Sequence, residues 1–181
     1  MPSRSQLLRL LTEYHPADPV EREYRLEMLD LAAVAHDPFD RSHYEPGHFT
    51  ASGFVIHPDG ERVLLVHHAK IGRWLQPGGH IDPDDISPLH AARREIGEET
   101  RVFDLTAVSD SIIDLDVHVF PALAAQLEHE HYDLRFAFVA ADDRVEVGDG
   151  VLAARWVSPS DLAGLEADTS VRRPIGKLLP A

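Results

Sequence analysis

The chain has 181 residues, with 31 acids against 17 lysines and arginines, twelve histidines and no cysteine, for a formal net charge of -14. That length suits one domain with room for one elaboration, and an apolar fraction of 44% fits a globular interior. The absence of cysteine excludes disulfides, thiolate metal sites and a thiol nucleophile, no apolar run is long enough to span a bilayer, and so acidic a chain is poorly suited to nucleic acid or anionic lipid. The opening MPSRSQLLRLLTEYH lacks the pattern of a signal peptide, so a cytoplasmic location is expected.

Leu7, Leu8, Leu10 and Leu11 predict a helix over residues 3–13, and Val20, Tyr24, Met28, Leu29 and Leu31 predict a second over 19–35. The turn His15-Pro16-Ala17-Asp18-Pro19 separates them. Together they form an N-terminal helical extension, residues 1–45, expected to cap a sheet; a substrate wall or a homodimer interface are its sharper candidate roles. Residues 36–47 are polar, with two prolines, and read as a linker into a core domain over residues 46–181. Residues 49–57 are a predicted strand, Pro58-Asp59-Gly60 a hairpin turn, and residues 62–68 the returning strand. Residues 70–77 read as a loop, in which Lys70 and Arg73 are candidate phosphate contacts and Trp74 a packing or hinge residue.

Pro77-Gly78-Gly79 then suggests a tight turn. A helix follows, capped by Ser87 or Asp85, with Pro88 in its first turn and Leu89, Ala92 and Ile96 as its apolar stripe. Glu95 precedes Glu98 by three residues and Glu99 by four, so their carboxylates converge on one side. Three acids that close repel one another, and a compensating cation is expected. Arg93, Arg94 and Arg101 are protein candidates; a hard divalent ion such as Mg2+ or Mn2+ suits carboxylate oxygens better. Further on, residues 113–119 alternate as a strand, 123–129 read as a loop or short helical turn, and 132–140 as a strand of more continuous apolar character. An acidic loop over 142–150, a strand over 153–157, a short helix opening at Ser158 and a last helix over 171–179 complete the chain. This order suggests a mixed sheet between layers of helices.

The acidic helix resembles the signature of the Nudix hydrolases: Gly, five residues, Glu, seven residues, then Arg-Glu-apolar-x-Glu-Glu-x-Gly-apolar. Gly79 matches the opening glycine, and Arg94, Glu95, Ile96, Glu98, Glu99 and Val102 match the second half. Asp85 stands where the first Glu belongs, eight residues instead of seven separate it from Arg94, and Arg101 replaces the last Gly. The first two departures leave the role of Asp85 open. The third predicts a helix end built differently from the usual left-handed glycine turn.

Over about residues 48–165 the resemblance implies an α/β/α sandwich, Mg2+ or Mn2+ as cofactor, and hydrolysis of a diphosphate linking a nucleoside to another group. It further implies that Glu95, Glu98, Glu99 and the carbonyl of Gly79 hold metal and that Arg94 orients the carboxylates. The general base is then Glu95, Glu146 or Asp149. Two rival readings share the fold. In an isopentenyl-diphosphate-isomerase-like enzyme the active-site cysteine would fall at Gly78, and a non-catalytic nucleotide-binding module would not need Glu95, Glu98 and Glu99. His131 and Asp133, two apart at a strand start, share one face, and the implied fold brings His48 and His80 to the same end of the sheet. These four are a candidate second site for a transition-metal ion.

Overall fold

The computed structural model describes residues 2–122 and 126–180; the loop or helical turn expected over 123–129 falls in part on residues 123–125, outside the described residues. Both N-terminal helices form where periodicity predicts them. In α1 (Arg4–Glu13) the Gln6 N–H donates to the Ser3 hydroxyl at 3.1 Å, and in α2 (Pro19–Val34) the Glu21 N–H donates to the Asp18 carboxylate at 2.9 Å. Leu7, Leu11, Met28 and Leu31 are buried against Phe49, Leu115 and Leu134 of the sheet, so the extension and the sheet share one apolar core.

Eight strands among the described residues make one mixed sheet: β1 (Gly47–Ile56), β2 (Val63–His68), β3 (Trp74–Leu75), β4 (Gly78–His80), β5 (Leu105–Ala107), β6 (Asp114–Phe120), β7 (His129–Ala140) and β8 (Val151–Val157). Its spine is the parallel pair β1 and β7, in register from Gly47 opposite Glu130 to Ile56 opposite Val139. All other pairings are antiparallel. The far edge of β1 is shared by β4 and β2, and that of β7 by β6 and β5. One face packs on α1, α2 and α3 (Pro88–Thr100) through Phe49, Leu134, Phe136 and Ile96. On the other, Phe54 and Leu65 meet Leu162 of a 3-10 helix (Pro159–Leu165) and Val171 and Ile175 of α4 (Thr169–Leu178). The α/β/α sandwich is therefore as expected. No described helix is long and apolar enough to cross a membrane.

Three short strands depart from the sequence reading. Residues 70–77 contain β3, and β5 has only three residues, too few to show a period. Gly78 and Gly79 lie in β4 instead of a turn: a Cβ at Gly78 would sit 2.3 Å from the Ser52 Cβ, so glycine is required by close approach to β1. β7 also differs in character. Its residues His129, His131, Asp133 and Arg135 all face one side, beside His48, Thr50 and Ser52 of β1 and Asp114, Asp116 and His118 of β6. Every one of these except His118 is buried. Arg135 sits among Asp133 at 2.9 Å and Asp114 and Asp116 at 3.2 Å each. Arg173 and Lys177 of α4 both reach Asp114 at 2.8 Å, and Lys177 also bonds Glu21 of α2. These groups, carried by four elements, form one interior ion network.

Candidate active site and an adjacent histidine cluster

Helix α3 is capped by Ser87, whose hydroxyl accepts from the His90 N–H at 3.0 Å, and Pro88 opens it where its missing N–H has no intrahelical partner to lose. Ala91, Ala92 and Ile96 bury its inner stripe, which leaves Arg94, Glu95 and Glu98 on a partly exposed flank. Arg94 is the hub of that flank. Its Nη1 donates to Glu95 at 2.9 Å and to Glu98 at 3.2 Å, and its Nη2 donates to the His80 carbonyl at 2.9 Å. Asp85, only 1% exposed, receives Arg94 in a fork, Nε at 3.2 Å and Nη2 at 2.9 Å. The His90 ring and the Asp82 N–H complete its shell at 2.8 Å each. Burial favours the neutral acid, but the bonds from Arg94, Asp82 and His90 outweigh it and hold Asp85 below the usual aspartate range. The shorter acid and the extra residue before Arg94 therefore still deliver a carboxylate that orients the arginine.

Glu95 and Glu99 turn inward from this hub. Glu99 accepts from the Gly78 N–H at 3.2 Å, and a Cβ on Gly79 would lie 2.8 Å from the Glu95 carboxyl carbon, so this glycine backbone abuts the acids directly. Burial, then the neighbouring Glu95, pushes Glu99 up to about 8 despite the Gly78 bond. Glu95 is also raised, by burial and by Glu98 and Asp82 against the opposing pull of Arg94. Glu98, 48% exposed, stands at the mouth. One arginine shared among Asp85, Glu95 and Glu98 does not neutralise this group. A set of oxygen donors with excess negative charge beside an open backbone fits a hard divalent cation.

The C-terminal end of α3 is closed by the acidic loop. The N–H groups of Arg101, Asp149, Gly148 and Glu146 donate to the carbonyls of Gly97, Glu98, Glu99 and Thr100 at 3.0, 3.0, 2.8 and 3.0 Å, satisfying all four terminal acceptors. Gly148 makes this docking feasible, because a Cβ there would fall 2.0 Å from the Glu98 carbonyl oxygen. Arg101 takes the left-handed conformation at φ 58°, so the turn keeps the shape expected of glycine and is not built differently. Its guanidinium pairs with Asp149 at 3.2 Å. Asp149 and Glu146 are thus both tied to the end of the acid-bearing helix, each with an exposed side chain.

Of the other expected groups, Arg73 is committed elsewhere, to Asp168 at the start of α4 at 2.7 Å, and so is not gathered at the acids. Lys70 is exposed in the loop between β2 and β3. Trp74 packs beneath Arg155, whose guanidinium carbon is 4.7 Å from its ring centre. His48, His80 and His131 come together, with one ring nitrogen of each within 4.8 Å of the others. Burial is the main cause holding His48 down to about 4, His80 to about 3 and His131 to about 2. Asp133 does not join them. It shares their face, but Ser52 at 2.7 Å, Arg135 at 2.9 Å and Thr50 at 3.1 Å occupy its oxygens. The neighbour the sequence reading missed is His129, whose Nε2 is 3.1 Å from that of His131; the His-x-His spacing of residues 129 and 131 was the available signal.

Comparison with known proteins gives a consistent result. Residues 47–179 match a family model described as NUDIX domain. A MutT protein from Methanosarcina mazei Go1 superposes with a TM-score of 0.55 at 21% identity, covering 72% of this chain and 91% of that one. An E. coli dihydroneopterin triphosphate pyrophosphohydrolase gives 0.54 at 17%, covering 72% and 94%. A C. elegans Ap4A hydrolase in a binary complex gives 0.53 at 19%, covering 71% and 93%. No curated protein matches the sequence.

Proposed function

Because this chain belongs to the Nudix family, whose domain it matches over residues 47–179, we propose that it is a divalent-metal-dependent hydrolase that cleaves a diphosphate joining a nucleoside to another group. The observation that carries this reading is the excess of carboxylates around Arg94, with Glu95, Glu98 and Glu99 on one helix and Asp85 holding the arginine in place. Mg2+ or Mn2+ would be held by Glu95, Glu98, Glu99 and the Gly79 carbonyl, and when bound would neutralise phosphate oxygens and make water more acidic. Arg94 fixes the rotamers of Glu95 and Glu98 before substrate arrives. Lys70, exposed in the loop between β2 and β3, is the remaining candidate for a phosphate contact. Glu146 and Asp149, anchored at the helix end, and Glu95 are the candidates for removing a proton from the attacking water. Structural neighbours named for Ap4A and for dihydroneopterin triphosphate put nucleotide-like diphosphates first among substrates to test.

The isomerase reading has less support. A cysteine at position 78 would place its Cβ 2.3 Å from that of Ser52, so this backbone leaves no room for the thiol such chemistry uses. A panel of nucleoside diphosphate derivatives assayed for phosphate release with Mg2+ and Mn2+ tests the proposal. Glu98→Gln and Glu99→Gln should each lower turnover about a hundredfold or more, as loss of an electrostatic catalytic group does. In oxygen-18 water, label should enter a phosphate product. Parent-like rates in both variants would remove the carboxylate site, and conversion of isopentenyl diphosphate without phosphate release would favour the isomerase.

A further inference from the structure

We propose that His48, His80 and His131 form a second, nitrogen-donor metal site suited to a late first-row ion, Zn2+ above all. The assignment stands independently of the hydrolysis reading. The three residues come from adjacent strands. His48 lies directly opposite His131 across the β1 and β7 pair, and His80 lies opposite Thr50, next to His48 on the same face of β1. Their rings crowd together, with centres 5.1 Å apart for His48 and His80, 5.0 Å for His48 and His131, and 5.5 Å for His80 and His131.

Two of the nitrogens facing this space are buried without a hydrogen-bond partner: Nε2 of His48 and Nε2 of His80. Buried polar atoms are rarely left so, because desolvation without a replacement bond costs about 1–3 kcal/mol each. For His48 the tautomer follows from the opposite nitrogen. Its Nδ1 lies 3.2 Å from the His43 carbonyl, a bond in which Nδ1 must donate, so Nε2 carries the lone pair. His129 repeats the pattern beside the three, with Nδ1 2.6 Å from the Leu127 carbonyl and Nε2 3.1 Å from that of His131. A tetrahedral zinc site with bonds of about 2.0–2.1 Å brings its nitrogens to about 3.4 Å, so the rings need to close by about 1.5 Å from their present spread.

The donor chemistry distinguishes this site from the acidic helix. Imidazoles without a carboxylate suit zinc, cobalt or nickel, whereas Mg2+ prefers oxygen. Strand alternation keeps the two sites apart: in β4, Gly79 abuts Glu95 on one side and His80 projects to His48 on the other. Arg94 Nη2 donates to the His80 carbonyl, which ties the acid-bearing helix to the strand that carries His80.

The full chain, stripped with chelator and dialysed, should bind one Zn2+ or Co2+ that survives in the Glu98→Gln, Glu99→Gln double variant and is lost in the His48→Gln, His131→Gln double variant. Bound Co2+ should give the visible absorption of a tetrahedral nitrogen site. If the histidine variant does not fold, long-range 1H–15N spectra of the unmutated chain decide: one equivalent of Zn2+ should shift the Nε2 resonances of His48 and His80, and Mg2+ should not. Parent stoichiometry in a folded histidine variant, or histidine nitrogens unmoved by Zn2+ in the unmutated chain, would overturn the assignment.

Discussion

Replacing Asp85 by Asn tests whether a shortened acid can anchor the arginine hub. The carboxylate is 1% exposed and accepts four bonds: two from Arg94 at 3.2 and 2.9 Å, and one each from His90 and Asp82 at 2.8 Å. An asparagine keeps the volume but turns one oxygen into an NH2 that faces donors. Removing one partner of a buried ion pair costs about 3–5 kcal/mol. Arg94 retains Glu95 and Glu98 and some contact with water, so the lower end, about 3 kcal/mol, is expected. For a chain of this size that is a fall in Tm of about 6–12 °C, measurable by calorimetry. The pH dependence has a defined sign. Asp85 titrates below its usual value when folded, so its contribution is complete above the ordinary aspartate pKa and disappears as pH falls through the lowered one. The gap in Tm between parent and variant should therefore be widest near neutrality and close in strong acid. Turnover should fall as well, because Arg94 no longer fixes Glu95. A variant within 2 °C of the parent at pH 7 would refute the idea that Asp85 holds Arg94.

Gly148→Ala should lift the acidic loop from α3, since the new Cβ would meet the Glu98 carbonyl at 2.0 Å. Loss of the three loop bonds predicts about 2–4 kcal/mol in denaturant melts and faster proteolysis over residues 142–150. In metal-free protein Glu99 keeps its proton up to about 8 while the unfolded chain releases it at the ordinary value, so stability should decline as pH rises across that interval. Melting curves of Glu99→Gln should lack this decline, and a slope equal to the parent's would count against the raised value. Arg135→Met should leave Asp114, Asp116 and Asp133 short of their shared cation and lower stability by about 3–5 kcal/mol, read as a shift in urea midpoint; an unchanged midpoint would mean the network is not coupled.

The carboxylate group was readable because it is local: Glu95, Glu98 and Glu99 meet by helical spacing whatever the remainder of the chain does. The first two helices were legible from their apolar spacing, and for α3 Ser87 was one of the two caps offered. Gly78 and Gly79 were misread because a glycine needed for close approach and one needed for a turn look alike until the partners, Ser52 and Glu95, are known. The histidine group was half legible. His48, His80 and His131 were foreseen through the implied fold, but the fate of Asp133 depends on Arg135 beside it and on Ser52, 81 residues earlier. The interior ion network had no signature at all. Nothing local marks Glu21, Asp114, Arg173 and Lys177 as a group, and only the convergence of α2, β6 and α4 makes them partners.

The docking of the acidic loop has a consequence for charge as well as for position. A helix presents the negative pole of its backbone dipole at its C-terminal end, where acidic side chains are unfavourable, and Glu98 and Glu99 sit in that last turn. Four amide groups cap those carbonyls, three of them from the loop. They cancel much of the pole that would otherwise add to the repulsion among the acids. The loop therefore acts as a dielectric shield for the helix end, and exchanging it for a loop of different length would change the proton affinity of Glu99 even with every carboxylate retained.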